Sequence, residues 1–338
     1  MKGQERTSVT RRAFMAGSAA AVAVGCARPP VTQRVTGQDG VPRPIPPERA
    51  PNVTVSRVEL PSQGVTLVGD LYLPTGTDAR PVPAAFLLGP FGYVREQGPS
   101  YHAMRLAARG VAALVFDCRG HGESHGAPRR YENPTIKVAD ARAALDFLST
   151  RSEIEARKVF AVGLCQGASP MMKLAAEDAR IAGLVTVAGA FLTGGTWRVE
   201  RGLEARQKFE RTGEVDYLPI IDPHRKDVGL PSPYIWSWYR KWVGTSRWEN
   251  RYAVMSDAEV WSFDVSAAAK RVSTPFLMVH SEEAHDPEDA RAVFSTIGSR
   301  DKQQFFLEGA PDHVKFYDHP ATVDRASARV AEFIKEHS

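Results

Sequence analysis

Val162-Gly163-Leu164-Cys165-Gln166-Gly167 sets one cysteine between two glycines, after an apolar run and before a stretch of helical spacing. A cysteine so placed is suited to nucleophilic catalysis. A tight strand-to-helix turn lifts the side chain clear of the sheet, and the flanking glycines let the chain pass close to the helix. The helix that follows would aim its N-terminal amides at the sulfur, which predicts a stabilised thiolate and an oxyanion donor in the amide of Gln166. A buried structural cysteine is the competing reading. The chemistry also needs a histidine and a carboxylate later in the chain. His313 stands just after the last apolar strand, residues 304–307, with His319 as the nearby alternative. Residues 181–197 hold no carboxylate, and the next strand runs into His280-Ser281-Glu282-Glu283-Ala284-His285-Asp286. Glu282 is the first candidate for the acid, with Asp286 and Glu283 behind it; the competing reading is a surface charge cluster.

The elements that would hold these residues follow from hydrophobic patterning. Residues 53–60 and 65–73 flank Pro61-Ser62-Gln63-Gly64 and read as an antiparallel strand pair. Beyond them, short apolar runs at 84–88, 111–116, 158–164, 181–188, 275–280 and 304–307 alternate with helical spacing at 101–109, 138–149, 168–177 and 322–335. That pattern predicts an α/β fold, a mostly parallel central sheet with helices on both faces. The alternation stops between residues 191 and 272, which hold all six tryptophans: Trp197, Trp236, Trp238, Trp242, Trp248 and Trp261. This stretch reads as an inserted lid interrupting a core of residues 53–190 and 273–338. Its aromatics either form a small core of their own or line an apolar pocket.

A chain of 338 residues accommodates such a domain with an insertion, and 43% hydrophobic with 24% charged residues is ordinary for a globular protein. Of the formal net charge of +4, residues 1–25 supply +3, from Lys2, Arg6, Arg11 and Arg12 against Glu5. No basic cluster stands elsewhere, so nucleic acid is not expected as a partner. The sequence offers no metal-ligand cluster and no phosphate loop, so neither a metal nor a cofactor is expected. Three cysteines, Cys26, Cys118 and Cys165, are no disulfide framework in a chain of this size. A bridge between Cys118 and Cys165 is the alternative to a reactive Cys165.

Thr10-Arg11-Arg12-Ala13-Phe14-Met15 resembles the twin-arginine export motif, and the small apolar stretch after it is too short for a permanent membrane helix. Val22-Ala23-Val24-Gly25-Cys26 resembles a lipobox, with Ala23 in place of the usual leucine. Residues 1–26 then read as an export signal, and the proline-rich residues 27–52 as an extended spacer. The expected location is the periplasm or a membrane surface, with a lipid on Cys26 as the only membrane contact.

From residue 53 onward the chain resembles the dienelactone hydrolase-related branch of the α/β-hydrolases. The resemblance rests on Gly89-Pro90-Phe91-Gly92-Tyr93-Val94-Arg95-Glu96-Gln97, on Phe116-Asp117-Cys118-Arg119-Gly120-His121-Gly122-Glu123-Ser124, on residues 163–167, and on His313-Val314-Lys315-Phe316-Tyr317-Asp318. It implies that the Phe91 amide is the second oxyanion donor and that Asp117, Arg119 and Glu123 shape the loop after their strand. The chain departs from the pattern at Ala284, where relatives carry aspartate, and at Gln166 and Ala168, where they carry a small residue and glycine. Gln166 is expected to narrow the pocket or to hydrogen-bond a substrate. The implied activity is hydrolysis of small or medium apolar esters, lactones or thioesters through an acyl-enzyme on Cys165. An acyltransferase on the same residues, or a non-catalytic binding protein of the same fold, are the alternatives.

Overall fold

A computed structural model describes residues 49–338 apart from Asp78, Ala79 and Thr193, together with the backbone of the short strands Val35–Thr36 and Pro42–Arg43. The twin-arginine motif, Cys26 and most of the proline-rich spacer lie outside the described residues. Among the described residues, no helix is long and apolar enough to cross a membrane.

The predicted hairpin forms from β1 (Val53–Ser62) and β2 (Val65–Pro74). Ser62 pairs with Val65 across Gln63 and Gly64, whose φ angles are 45° and 83°. Two positive φ values in succession are what a two-residue hairpin turn needs to match strand twist. The sheet continues with β3 (Val82–Leu88), β4 (Ala112–Phe116), β5 (Ile154–Leu164), β6 (Ile181–Val187), β7 (Phe276–His280) and β8 (Lys302–Phe306). The order across its eight strands is β8-β7-β6-β5-β3-β4-β2-β1, antiparallel only between β1 and β2 and between β2 and β4. β4 is buried along its whole length, which is why Ala-Ala-Leu-Val-Phe shows no polar alternation.

The main helices are α1 (Gly98–Ala108), α2 (Pro134–Ser149), α3 (Ala168–Ala175), α4 (Thr196–Thr212), α5 (Pro233–Tyr239), α6 (Pro287–Thr296) and α7 (Pro320–Glu336). α1 and α7 cover one face of the sheet through Met104, Leu106, Val330 and Phe333; α2 and α3 cover the other through Leu145, Leu148, Met171 and Met172. Each such buried side chain stabilises the fold by about 1.5–3 kcal/mol. α4 and α5 belong to the insertion between β6 and β7. Trp238, Trp242 and Trp248 are buried there with Tyr239 and Tyr252, in one cluster with Phe91, Val94 and Tyr317 of the surrounding fold. Trp197, in contrast, is half exposed.

The loop after β4 is held by ions rather than by apolar packing. Arg95 bridges Asp70, Asp117 and Glu123, while Arg119 and the Ser62 hydroxyl converge on Asp140. Asp117, Arg119 and Glu123 are thus structural members of this loop. His102 of α1 bonds the Phe316 carbonyl at 2.7 Å and the Ser327 hydroxyl at 3.0 Å, which pins the segment behind β8 to the body of the fold.

Burial keeps three histidines neutral, holding His102 and His121 at a pKa of about 4 and His313 at about 3, against 6.5 for a free side chain. Below pH 6.5 the unfolded chain therefore binds protons that the folded chain refuses. Stability is complete above that pH and is lost as pH falls towards 4 and then 3. At pH 5.5 each histidine should cost about 1.4 kcal/mol, or about 4 kcal/mol together. Urea midpoints at pH 7.5 and 5.5 should differ accordingly; equal midpoints would mean that these rings are protonated in the fold.

Candidate active site

Cys165 opens a single 3-10 turn, Cys165–Gly167, between β5 and α3. Its φ is 53°, a left-handed conformation that costs a non-glycine residue about 1–2 kcal/mol and is typical of strain held at a working site. The two glycines are explained by close approach. A Cβ on Gly163 would lie 2.5 Å from the Ala168 Cα, and one on Gly167 would lie 2.7 Å from the carbonyl oxygens of Leu88 and Gly89. Gly167→Ala should push back the loop that leads into Phe91. The expected result is a loss of about 1–3 kcal/mol in thermal stability together with lower turnover, read by melting and by assay on the same sample.

The sulfur is enclosed by donors. The amides of Phe91 and Gln166, the hydroxyl of Tyr317 and the charge of Lys137 all favour its ionised form. Burial nevertheless outweighs all four and holds the thiol above its ordinary pKa. The resting group is therefore a thiol, which corrects the expectation of a stabilised thiolate. Cys118, the other described cysteine, is also free, so there is no bridge between them; its sulfur lies 3.7 Å from the Tyr93 hydroxyl.

His313 shares with Cys165 a small apolar chamber of about 40 Å³, walled also by Phe91, Leu230, Tyr239 and Tyr317. Its ring meets the edge of Tyr317 at 5.4 Å between centroids. The Nδ1 atom accepts the His285 backbone N–H at 3.3 Å, so the neutral ring carries its proton on Nε2. Burial, with His285 and His280 beside it, lowers the pKa of His313 to about 3, opposed only by Asp312.

No expected acid completes the set. Glu282, the first candidate, is corrected: it is exposed and spends its carboxylate on Arg291, one helical turn into α6. Asp286 pairs with His285 Nε2 at 2.8 Å, and Glu283 stands exposed on the cavity rim. Ala284 is buried, and the position an acid would take on Nδ1 is filled by a backbone amide. His319 bonds the Thr322 hydroxyl at the head of α7 and plays no part at the chamber.

Three residues near the sulfur escaped sequence reasoning: Tyr317, Lys137 and Glu132. Lys137 and Glu132 form an ion pair at 2.6 Å with both side chains almost wholly buried. Burial alone would raise the Glu132 pKa, but Lys137 and His121 bring it below the ordinary carboxylate range. Each partner reaches one side of the oxyanion site. Glu132 accepts the amide of Gly92, next to Phe91, and Lys137 donates to the Gln166 side-chain oxygen at 3.1 Å. Gln166 therefore points into the interior, 2% exposed, and neither narrows the pocket nor faces a substrate. The signal in the sequence was a lysine on the buried stripe of α2, in line with Val138, Ala141 and Leu145.

A larger cavity of about 520 Å³ adjoins the chamber, sharing Leu192, Leu230, Ile235, His285 and His313 with it. Trp261 and Arg198, from the insertion, form part of its wall. The insertion's aromatics thus divide between this cavity wall and packing against Phe91 and Tyr317 of the main fold. Among the described residues no cluster of side chains could hold a metal ion.

The family model described as "Alpha/beta hydrolase family" matches residues 86–331. The chain belongs to the alpha/beta hydrolase family. Among relatives of this hydrolase, the uncharacterised protein PA2218 of Pseudomonas aeruginosa is 27% identical over 297 residues, covering 81% of this chain and 78% of its own. Its crystal structure superposes with a TM-score of 0.77 at 25% identity, over 87% of this chain and 96% of that one. A polyketide transferase of Aspergillus fumigatus, af380, is 25% identical over 68% of this chain and 81% of its own. A thiohydrolase of Eupenicillium brefeldianum is 27% identical over 68% and 75%.

Proposed function

We propose that this hydrolase acts on thioesters, and less well on esters and lactones, by acyl transfer to Cys165. The observation that carries the reading is Cys165 itself, on a left-handed strand-to-helix turn that opens into a chamber shared with Phe91 and His313. Sγ attacks the acyl carbon, and the carbonyl electron pair moves onto an oxygen held by the Phe91 and Gln166 amides. Each donor is worth about 3 kcal/mol in reactions of this type. The thiol proton passes to His313 Nε2 after the ring's own proton has shifted to Nδ1, which releases the bond from the His285 amide. The C–S bond to the leaving group breaks, the thiolate departs, and Nε2 then gives up its proton. Water next attacks the acyl-Cys165 carbon as Nε2 takes its proton. The acyl–Cys165 bond breaks to release the acid while that proton returns to the sulfur.

Proton transfer accompanies bond formation rather than preceding it. Burial disfavours both the thiolate and the imidazolium, so a resting thiolate–imidazolium pair is uphill. Among the described residues no carboxylate hydrogen-bonds His313, and burial outweighs the charge of Asp312, so leaving groups that depart without a delivered proton are favoured. Thiolates meet that condition and alkoxides do not. The names of the thiohydrolase and polyketide transferase relatives support thioester chemistry. The transferase name also favours a second reading, in which another nucleophile replaces water.

The test is turnover of the butyryl thioester of N-acetylcysteamine beside butyl butyrate, with and without an added alcohol or thiol. The thioester should be the better substrate, and Cys165→Ala should remove nearly all activity. New acyl products from the added nucleophile would identify a transferase. Activity surviving in Cys165→Ala would end the reading, and a folded wild type that turns over neither compound would favour a binding protein. The place of work proposed from residues 10–26 is outside the cytoplasm, supported by those motifs alone. Metabolic labelling with palmitate should mark the wild-type protein and spare Cys26→Ser; an unlabelled, unprocessed wild type would contradict it.

A further inference from the structure

Arg198, in the first turn of α4, is a cation without a counter-ion. It is 7% exposed and lines the larger cavity. Its guanidinium carbon lies 4.6 Å from the ring centre of Trp197 and 4.6 Å from that of Trp261, so the group packs on two indoles. Stacking of that kind leaves only the in-plane N–H groups for hydrogen bonding. One of them, Nη1, donates to the Val228 carbonyl at 3.0 Å. The nearby carboxylate of Asp257 is engaged by Arg201 and by the Tyr252 hydroxyl. Among the described residues no carboxylate pairs with Arg198. Burial lowers its pKa below that of a free arginine, as expected for a desolvated cation lacking its anion.

The other charges on this cavity do not supply that anion. Asp286 is taken by His285, while Glu283 and Asp289 line the cavity from exposed positions, where solvent and salt screen them. A planar guanidinium with free edges is matched to a carboxylate or phosphate, which can take two parallel hydrogen bonds. The cavity it faces runs into the chamber of Cys165.

Resting on the acyl-transfer reading above, we propose that the substrate carries an anionic oxygen group away from its scissile bond, and that Arg198 binds that group. The anion has two sources of the same chemistry: a carboxylate ending the acyl chain, or a phosphate on the leaving thiol.

Matched pairs separate these sources. For the acyl end, succinyl, glutaryl, adipoyl and suberoyl thioesters of N-acetylcysteamine are compared with their ω-methyl esters. For the thiol end, butyryl-4′-phosphopantetheine is compared with butyryl-pantetheine. One anionic series should exceed its neutral partner by about tenfold or more in kcat/KM, the scale of a charge-assisted pair in a desolvated site. Arg198→Gln should erase that ratio and Arg198→Lys should restore part of it. Calorimetric binding of adipate monoamide against adipamide, and of 4′-phosphopantetheine against pantetheine, reads the same site without turnover. Anion discrimination in binding with no turnover of any compound would sink the acyl-transfer reading and leave the anion site standing. Turnover without preference for either anion, or a preference unchanged in folded Arg198→Gln and Arg198→Lys proteins, would overturn the role of Arg198.

Discussion

Lys137→Met is expected to lower kcat about a hundredfold, the scale of losing an oxyanion donor, and to destabilise the fold by about 3–5 kcal/mol. Both effects come from one buried pair. Without the ammonium, the Glu132 carboxylate keeps only the Gly92 amide as a donor, in a site with no solvent exposure. A buried charge that has lost its partner is costly, whereas removing both partners is often close to neutral. The double variant Lys137→Met with Glu132→Leu should therefore recover most of the stability. It should not recover kcat, because Gln166 and Gly92 still lack the groups that anchor them beside the two oxyanion donors. KM should change little in either protein, since neither residue lines the larger cavity or the chamber. Urea denaturation and steady-state kinetics on the same preparations check this. A double variant with normal kcat would reduce the pair to a purely structural role.

Alkylation of Cys165 by iodoacetamide should be slow at pH 7 and rise about tenfold per pH unit through pH 9, as for a thiol that must first lose its proton. Burial raises the thiol's pKa and lowers that of His313 to about 3, so no ion pair forms between them in the neutral range. A preformed thiolate–imidazolium pair would instead give a plateau across pH 5–8. Ala284→Asp extends the test, because residue 284 immediately precedes the amide now bonded to His313 Nδ1. A carboxylate there would favour the Nδ1–H tautomer and raise the imidazolium pKa, moving the alkylation profile to lower pH. An unchanged profile would show that the new carboxylate does not reach the ring.

The parallel sheet was legible because each of its central strands is an apolar run closed by a turn, and the β1–β2 hairpin because its turn residues are those that tolerate positive φ. The Cys165 turn was legible for a related reason: at Gly163 and Gly167 a Cβ would collide with backbone, so the spacing itself records the geometry. What escaped depended on contacts between distant segments. Tyr317 stands in the stretch that begins at His313, but its place beside Cys165 in the chamber depends on the fold. Lys137 and Glu132 are buried only because each is paired with the other, a contact that the sequence does not spell out. Glu282 stood at the right place in the chain order, yet its side chain turns to solvent and Arg291. Gln166 was expected to face the substrate, but the cation behind it draws its side chain inward.

The most direct test of acyl transfer is rapid quenching of the wild-type protein mixed with the pivaloyl thioester of N-acetylcysteamine, whose hindered acyl group slows the water step. Peptide mass analysis should find the pivaloyl group on Cys165 at early times, with stoichiometric release of thiol. Thiol release with Cys165 unmodified, or the acyl group on another residue, would contradict a cysteine nucleophile at this turn.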